Sequence, residues 1–500
     1  MSRLSRRYRV LSCALATLLL PGSLLSAGNG LTAANLRSTS DSELSNDDRW
    51  DDGFGFGLVA EDFARVYSIA VIDSDVYVGG RFNATAGMRT SGIAKWDGAT
   101  WSDVGGGLDN CGGIFCFPTV HALAVRGKDL YAGGNFLSIS GVAANRVARW
   151  DGTKWSALGN GVQICDRFND CATVLSMAAS ASDLFTVGRI ITDVYANGDA
   201  SLSSFTKWDG NSWTVQGAVS GLSASVALYS IEASHGRTYI GGVFNGAGPF
   251  ASNNIAMFDD NEWSAMGGGV AGCVSTYPGY PCSPHVYTIG ASGDDVYVGG
   301  DFTSAGGNPA KNIARWDGSK WTALGEGANG PVLKIAVNGN TLYAGGQFTM
   351  IGGVQANGIA RFDGEKWEAL GSGVDGYVDA IAFRDGDVYV GGVFSKAGGK
   401  TAHNFARWID PTFVPPTPAP VLPQITQIGV SGKKLHITGE RFDVGAVLLV
   451  NGEPQKTRNH EQNPTTHLIA KKSGKKIKNG DSLQIQNPNG KLSPEFIVTL

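Results

Sequence analysis

One pattern is written out about seven times between residues 49 and 410, and it constrains every other reading of the chain. Its apolar anchors are Ile69, Leu123, Met177, Ile231, Ile289, Ile335 and Ile381, spaced 46 to 58 residues apart. Eight residues after each anchor stands an aromatic: Tyr77, Tyr131, Phe185, Tyr239, Tyr297, Tyr343 and Tyr389. Six of these seven open a Tyr-x-Gly-Gly run, and sixteen residues beyond the second glycine comes Trp96, Trp150, Phe258, Trp316, Phe362 or Trp408. In six copies a further Trp follows five residues after the aromatic at that position. A period of this length marks units that can bury their faces only against one another.

Each unit reads as four short strands, a to d, rich in the β-branched and aromatic residues that suit a pleated surface. In the fifth unit they fall at Ile289, in VYVGG, in NIARW and in KWTALG. An Asp-Gly turn, such as Asp97-Gly98 or Asp317-Gly318, joins c to d. The glycine pair ending strand b lets another backbone approach where a side chain would clash. Four-stranded units of this kind stack radially as a β-propeller, so the expectation is an all-β chain with a seven-bladed β-propeller over 49–410. The last copy stops near Asp410 without a strand d, whereas Trp50-Asp51 stands nineteen residues before Ile69, the spacing that separates Trp316 from Ile335. The N-terminal segment is therefore expected to supply the missing strand and remove the open edge.

The phrases Y-x-G-G-x-F and N-x-I-A-R-W/F-D-G-x-x-W resemble kelch-type repeats of galactose-oxidase-like propellers, and more closely the repeats of fungal cortical polarity markers. The resemblance covers roughly residues 49 to 410 and implies a propeller fold; it implies little about activity, because such scaffolds host many functions.

The flanks differ from the repeat. Arg3, Arg6, Arg7 and Arg9 precede an apolar run over 10–20, with small residues at 26–28, which is the layout of a secretory signal, expected to span residues 1–28. The run is too short to span a bilayer as a mature helix. Residues 29–48, polar and rich in Ser, Asn and Asp, read as a disordered lead-in. Six cysteines form three local couples between strand d of one unit and strand a of the next: Cys111 with Cys116, Cys165 with Cys171, and Cys273 with Cys282. They fall where that connection is longest, so disulfides that shorten long loops are expected, and their spacing does not offer zinc ligands. Six prolines in the thirteen residues 411–423 make a semi-rigid linker. Residues 424–500 lack Trp and Cys, carry eleven Lys and Arg against six Asp and Glu, and alternate like the strands of a small β-sandwich. Through ITGERF, the VNG turn and the closing NPNGKLSPEFIV, they resemble an IPT/TIG immunoglobulin-like domain, which implies a spacer or adhesion role. The lysines at 471, 472, 475, 476 and 478 read as a solvated hairpin.

The connections b to c and d to a carry every insertion and should open on one face of the ring, where a rigid scaffold tolerates variable binding loops. Two residues before the anchors the copies read Tyr67, His121, Leu175, Tyr229, Tyr287, Leu333 and Asp379; after the glycine pairs they include Arg81, Asn135, Asp301 and Gln347. Tyr67, His121, Tyr229, Tyr287, Asp301, Gln347 and Asp379 are the ligand-binding candidates, because Tyr rings at a channel mouth offer an apolar body and a polar tip to a sugar or a peptide. The third copy departs most, with Thr186-Val187-Gly188-Arg189 in place of Tyr-x-Gly-Gly and four extra residues after it. No catalytic residue, metal site or cofactor is expected: no nucleophile-elbow, zincin or phosphate-loop motif occurs. A copper site like that of galactose oxidase would need a Cys beyond the three couples and two neighbouring His, whereas His121 and His285 lie three units apart. Asp301 and Asp379 are the only carboxylates suggesting a glycosidase pair. A net charge of −4 argues against nucleic acid. The expectation is a secreted or cell-surface monomer that binds a glycan or an extracellular protein, the alternative being a carbohydrate-active or oxidase-type propeller enzyme.

Overall fold

The computed structural model describes residues 46–499 except 52, 55–57, 60–63, 86–87, 112–115, 163–172, 195–199, 218, 221–225, 260–261, 274–281, 411–422, 472 and 489–491. The signal segment 1–28, nearly all of the lead-in 29–48, most of the linker 411–423 and the couple Cys165 and Cys171 lie outside the described residues. The chain is all-β. Each copy of the repeat forms one antiparallel four-stranded sheet in the order a-b-c-d, for example Arg65–Ile72, Asp75–Arg81, Ile93–Trp96 and Trp101–Asp103. These are propeller-like units. Asp-Gly closes the c–d hairpins as an Asx turn: Asp97 Oδ1 accepts from the N–H of Ala99 and of Thr100 at 2.8 and 2.7 Å.

Two sets of hydrogen bonds join one sheet to the next. At the inner strand, Ser68 Oγ accepts from the N–H of Leu123, Ser176 from Ile231, Ser230 from Ile289 and Thr288 from Ile335, at 2.9 to 3.3 Å. At the outer strand, Trp155, Trp213 and Trp321 donate their indole N–H to the carbonyls of Val104, Leu158 and Met266 in the preceding unit, at 2.7 to 2.8 Å. Apolar packing fills the space between, and the first glycine of each pair is where two sheets meet: a Cβ at Gly79 would lie 2.6 Å from Val120 of the next sheet. In the third unit this place is taken by Val187, which is fully buried.

The inner strands pack in sequence, and the last, Tyr377–Arg384, packs against the first, Arg65–Ile72. The N-terminal segment completes the final sheet as the spacing implied. Trp50 pairs with Trp408 and Asp51 with Arg407, whose guanidinium also holds the Asp51 carboxylate. Trp50 Nε1 donates to Leu370 O at 3.0 Å, so it occupies the place that strand d Trp residues hold elsewhere. Just upstream, Asp47 accepts from the N–H of Ser372 at 2.6 Å.

The variable connections hold more structure than their composition suggests. The b–c connection folds into a two-residue hairpin that pairs with the segment arriving from the preceding sheet, as Ser138–Ile139 does with Val142–Ala143 and Leu108–Asn110. The two kinds of connection thus meet on one side of the sheets. In the third unit the extra residues prolong strands b and c, over Leu184–Val194 and Ala200–Trp208, into one long hairpin. Disulfides join Cys111 to Cys116 and Cys273 to Cys282. Residues 424–499 form two further four-stranded sheets around Leu435, Ile437, Phe442, Leu448, Leu468 and Ile485.

Burial of Trp50 predicts that Trp50→Ala lowers the unfolding free energy by about 3 to 5 kcal/mol, the usual cost of truncating a buried aromatic. Urea unfolding of the full chain measures this, and a loss under about 1 kcal/mol would mean that the ring does not depend on its N-terminal strand.

Candidate functional site

The second glycine of each pair creates the site. In every unit the register between strands a and b slips at one residue, and that residue is two before the anchor: Tyr67, His121, Leu175, Tyr229, Tyr287, Leu333 and Asp379 each lie at the slip. A side chain opposite the bulge is impossible, because a Cβ at Gly300 would collide with the carbonyl of His285, and the other second glycines meet the same obstacle. Gly188 keeps this role in the divergent third copy, facing the Thr173 carbonyl. A bulge bends its strand and re-aims the extra side chain. The repeat therefore presents one variable side chain per unit at the start of the inner strand, on the side where the variable connections meet.

These residues surround a cavity of about 460 Å³ to which every unit contributes. Tyr67, His121, Tyr229, Tyr287, Gln347 and Asp379 all line it; Asp301 does not, standing beside it where it pairs across the strands with His285. The rim has two aromatic halves. In one, Tyr67 and His121 rings lie 4.7 Å apart, and the Arg65 guanidinium sits 4.7 Å from the Tyr67 ring centre and 5.3 Å from that of Tyr377. In the other, His285 stacks on Tyr287 at 5.3 Å, and Tyr229 lies 5.6 Å from Tyr287. Asp379 is bound by Arg65 in a two-point ion pair, Nε to Oδ2 at 2.9 Å and Nη2 to Oδ1 at 2.7 Å. It is thereby occupied, and Asp301 and Asp379 are not brought together as a facing carboxylate pair. His121 and His285 belong to opposite halves of the rim.

Burial sets the protonation of the rim. It pushes His121 down to about 4, helped by the charge of Arg65, so this imidazole is neutral near pH 7. Burial raises Tyr287 to about 12, with Asp301 adding to it, and raises Tyr67 and Tyr229; all three remain phenols that can donate a hydrogen bond.

Three charged residues of the cavity region escaped the sequence reading. Arg65 begins the first inner strand. The position before the anchor reads Ser68, Ala122, Ser176, Ser230, Thr288, Lys334 and Ala380, and the one after it Ala70, Ala124, Ala178, Glu232, Gly290, Ala336 and Ala382. A single Lys and a single Glu in two columns of small residues was the available signal. Lys334 lines the cavity, and Glu232 stands one step deeper on the strand two units away. Both keep partial solvent access although protein surrounds them. Burial pushes Glu232 up to about 7, with Lys334 pulling it back, and lowers Lys334, with Glu232 opposing. Among the described residues, no group of three His, Cys, Asp or Glu side chains is placed to hold a metal ion, and no helix is long and apolar enough to cross a membrane.

Residues 340–364, from strand b to strand c of the sixth unit, match a family model described as a domain of unknown function (DUF5122) beta-propeller. With the four-stranded units, this match identifies a β-propeller domain. Among solved structures the chain is similar to the computationally designed Ika8 protein, at 15% identity over 71% of this chain and 100% of that one, with a TM-score of 0.36. It is similar also to the beta-propeller domain of the Trilobed protease from Pyrococcus furiosus, at 10% identity over 69% of this chain and 96% of that one, with a TM-score of 0.38. No curated protein matches the chain.

The depressed pKa of His121 makes stability depend on pH. Between about 6.5 and about 4 the unfolded chain takes up a proton that the folded one refuses, so the contribution of this residue is complete above 6.5 and lost as the pH falls toward 4. Allowing for its partial exposure, the loss should be about 1 to 3 kcal/mol. Glu232, whose neutral form the fold favours, works in the opposite sense between about 7 and 4.5. Urea unfolding at a series of pH values should therefore show His121→Gln losing less stability than the wild type as the pH falls to 4. Parallel pH profiles for the two proteins would refute the assignment.

Proposed function

We propose that this chain is an exported, non-catalytic binding or adhesion protein, which recognises a glycan or a surface protein through the loop-rich face of a seven-bladed ring. In this reading residues 1–28 are a signal peptide, 29–48 a lead-in, 49–410 the kelch-like propeller, 411–423 a linker and 424–500 an IPT/TIG-like immunoglobulin domain that holds the ring away from its point of attachment. The observation that carries the reading is the column of bulged residues. Structural needs would fill a repeated position with one residue type; this one holds three Tyr, a His, an Asp and two Leu around a single cavity. Three phenols with apolar faces and retained O–H groups suit a sugar ring, which presents C–H groups on its faces and hydroxyls at its edge. The cavity volume falls in the range of small-molecule sites. The two disulfides agree with an oxidising compartment.

The test is a glycan-array screen of the full chain, followed by titration of the best ligand. Tyr229→Ala and Tyr287→Ala are each expected to weaken binding by about tenfold, the scale of one aromatic contact. Saturable binding unaffected by either substitution would move the site away from this cavity, and silence on glycans would shift the reading to a protein ligand.

A further inference from the structure

Lys334 is the one long charged side chain in a column of Ser, Thr and Ala, and it enters the cavity that the Tyr residues surround. Among the described residues no carboxylate lies within ion-pair distance of it. The other cation of the cavity, Arg65, is matched by Asp379 through two hydrogen bonds. The remaining groups facing the cavity bring no negative charge: His121 and the phenols of Tyr67, Tyr229 and Tyr287 are neutral near pH 7, and Gln347 is uncharged. Outside the lining, Asp301 stands beside His285, which burial keeps from protonating. Glu232, deeper and two units away, is the nearest countercharge and does not reach Lys334.

From this arrangement we propose that the cavity binds an acidic sugar, a uronate, whose carboxylate pairs with Lys334 Nζ while its ring lies against the Tyr residues of the rim. The inference rests on the reading that the loop-rich face holds a ligand, and it adds the ligand's charge. A sugar fits better than an acidic peptide side chain because the rim offers aromatic faces on both sides of the cavity, which a ring can use and a single short carboxylate side chain cannot.

The neighbouring carboxyl gives the binding a pH dependence. Above pH 7 Glu232 is ionised and opposes an incoming anion; as the pH falls through about 7 it becomes neutral, and because burial lowers Lys334, protonation of that amine strengthens the same trend. Affinity for a carboxylate should therefore rise as the pH falls across this value, until the ligand itself protonates.

Calorimetric titration of the full chain at pH values on either side of 7 tests this, using trigalacturonate, its neutral methyl ester and a glutamate hexapeptide. Trigalacturonate is expected to bind about tenfold more tightly than its ester, the scale of a charge-assisted hydrogen bond. Lys334→Met should remove that advantage, Lys334→Arg should keep most of it, and Glu232→Gln should reduce the pH dependence. Circular dichroism shows whether each variant is folded, and the Arg and Gln variants carry the test if the Met variant is not. Equal binding of acid and ester, indifference to folded Lys334→Met, or no saturable binding of trigalacturonate at millimolar concentration would each overturn the inference. Binding of the ester that is lost in Tyr229→Ala but unaffected at Lys334 would overturn the anion assignment and leave the ring-face reading standing. Lys334-dependent binding of the hexapeptide without trigalacturonate would overturn the choice of a sugar.

Discussion

Hydrogen bonds tie the sheets of the repeat to one another at two radii. Near the axis a Ser or Thr hydroxyl accepts the anchor N–H of the next unit; at the periphery an indole donates to a carbonyl of the unit before. Each bond gives a backbone group a partner across the sheet boundary, where an unmet buried donor would cost free energy comparable to the bond itself. The glycine between these radii allows the apolar faces to close. Because every sheet uses both neighbours, no unit is complete alone. Where the inner hydroxyl is absent, at Ala122, Lys334 and Ala380, the outer indoles of Trp213, Trp50 and Trp101 and the packed core still join the sheets.

The glycine pair divides two tasks that look like one in the sequence. Its first member makes room for the next sheet, and a valine can replace it, as Val187 does. Its second member faces the carbonyl of the inner strand and permits the bulge, and it is kept in every unit. The fold and the cavity therefore share a cause: the residue that relieves a steric conflict between two strands also delivers a different side chain from each unit to one place.

The repeat, the strand order and the N-terminal closure were legible in the sequence because they depend on spacing, and spacing survives in a linear string. Five of the seven ligand candidates line one cavity because they share the bulge position; of the two drawn from the position after the glycine pair, Gln347 also lines it and Asp301 stands outside. The reading missed Lys334 and Glu232 because two columns of small residues attracted no attention, although a lone charge in such a column is informative, and it missed Arg65 because that residue begins the inner strand, outside the columns compared. The pairing of Arg65 with Asp379 could not be read at all, since it joins the first unit to the last across 314 positions. The small hairpins of the variable connections were also invisible, being only two residues long and pairing with a neighbouring unit.

The closure at Trp50 has a consequence for the order of events in folding. Trp50 and its acceptor carbonyl on Leu370 are 320 positions apart, and the strand that Trp50 pairs with lies farther still. Until the strand Phe405–Trp408 exists, the N-terminal strand has no edge to join. Intermediate chains emerging from synthesis are thus an open row of sheets with an uncovered apolar face at each end, free to grow one unit at a time through local contacts. The single long-range step comes last, when loop-closure entropy has already been reduced by the ordered units between, and it turns a stack of locally folded sheets into one cooperative body.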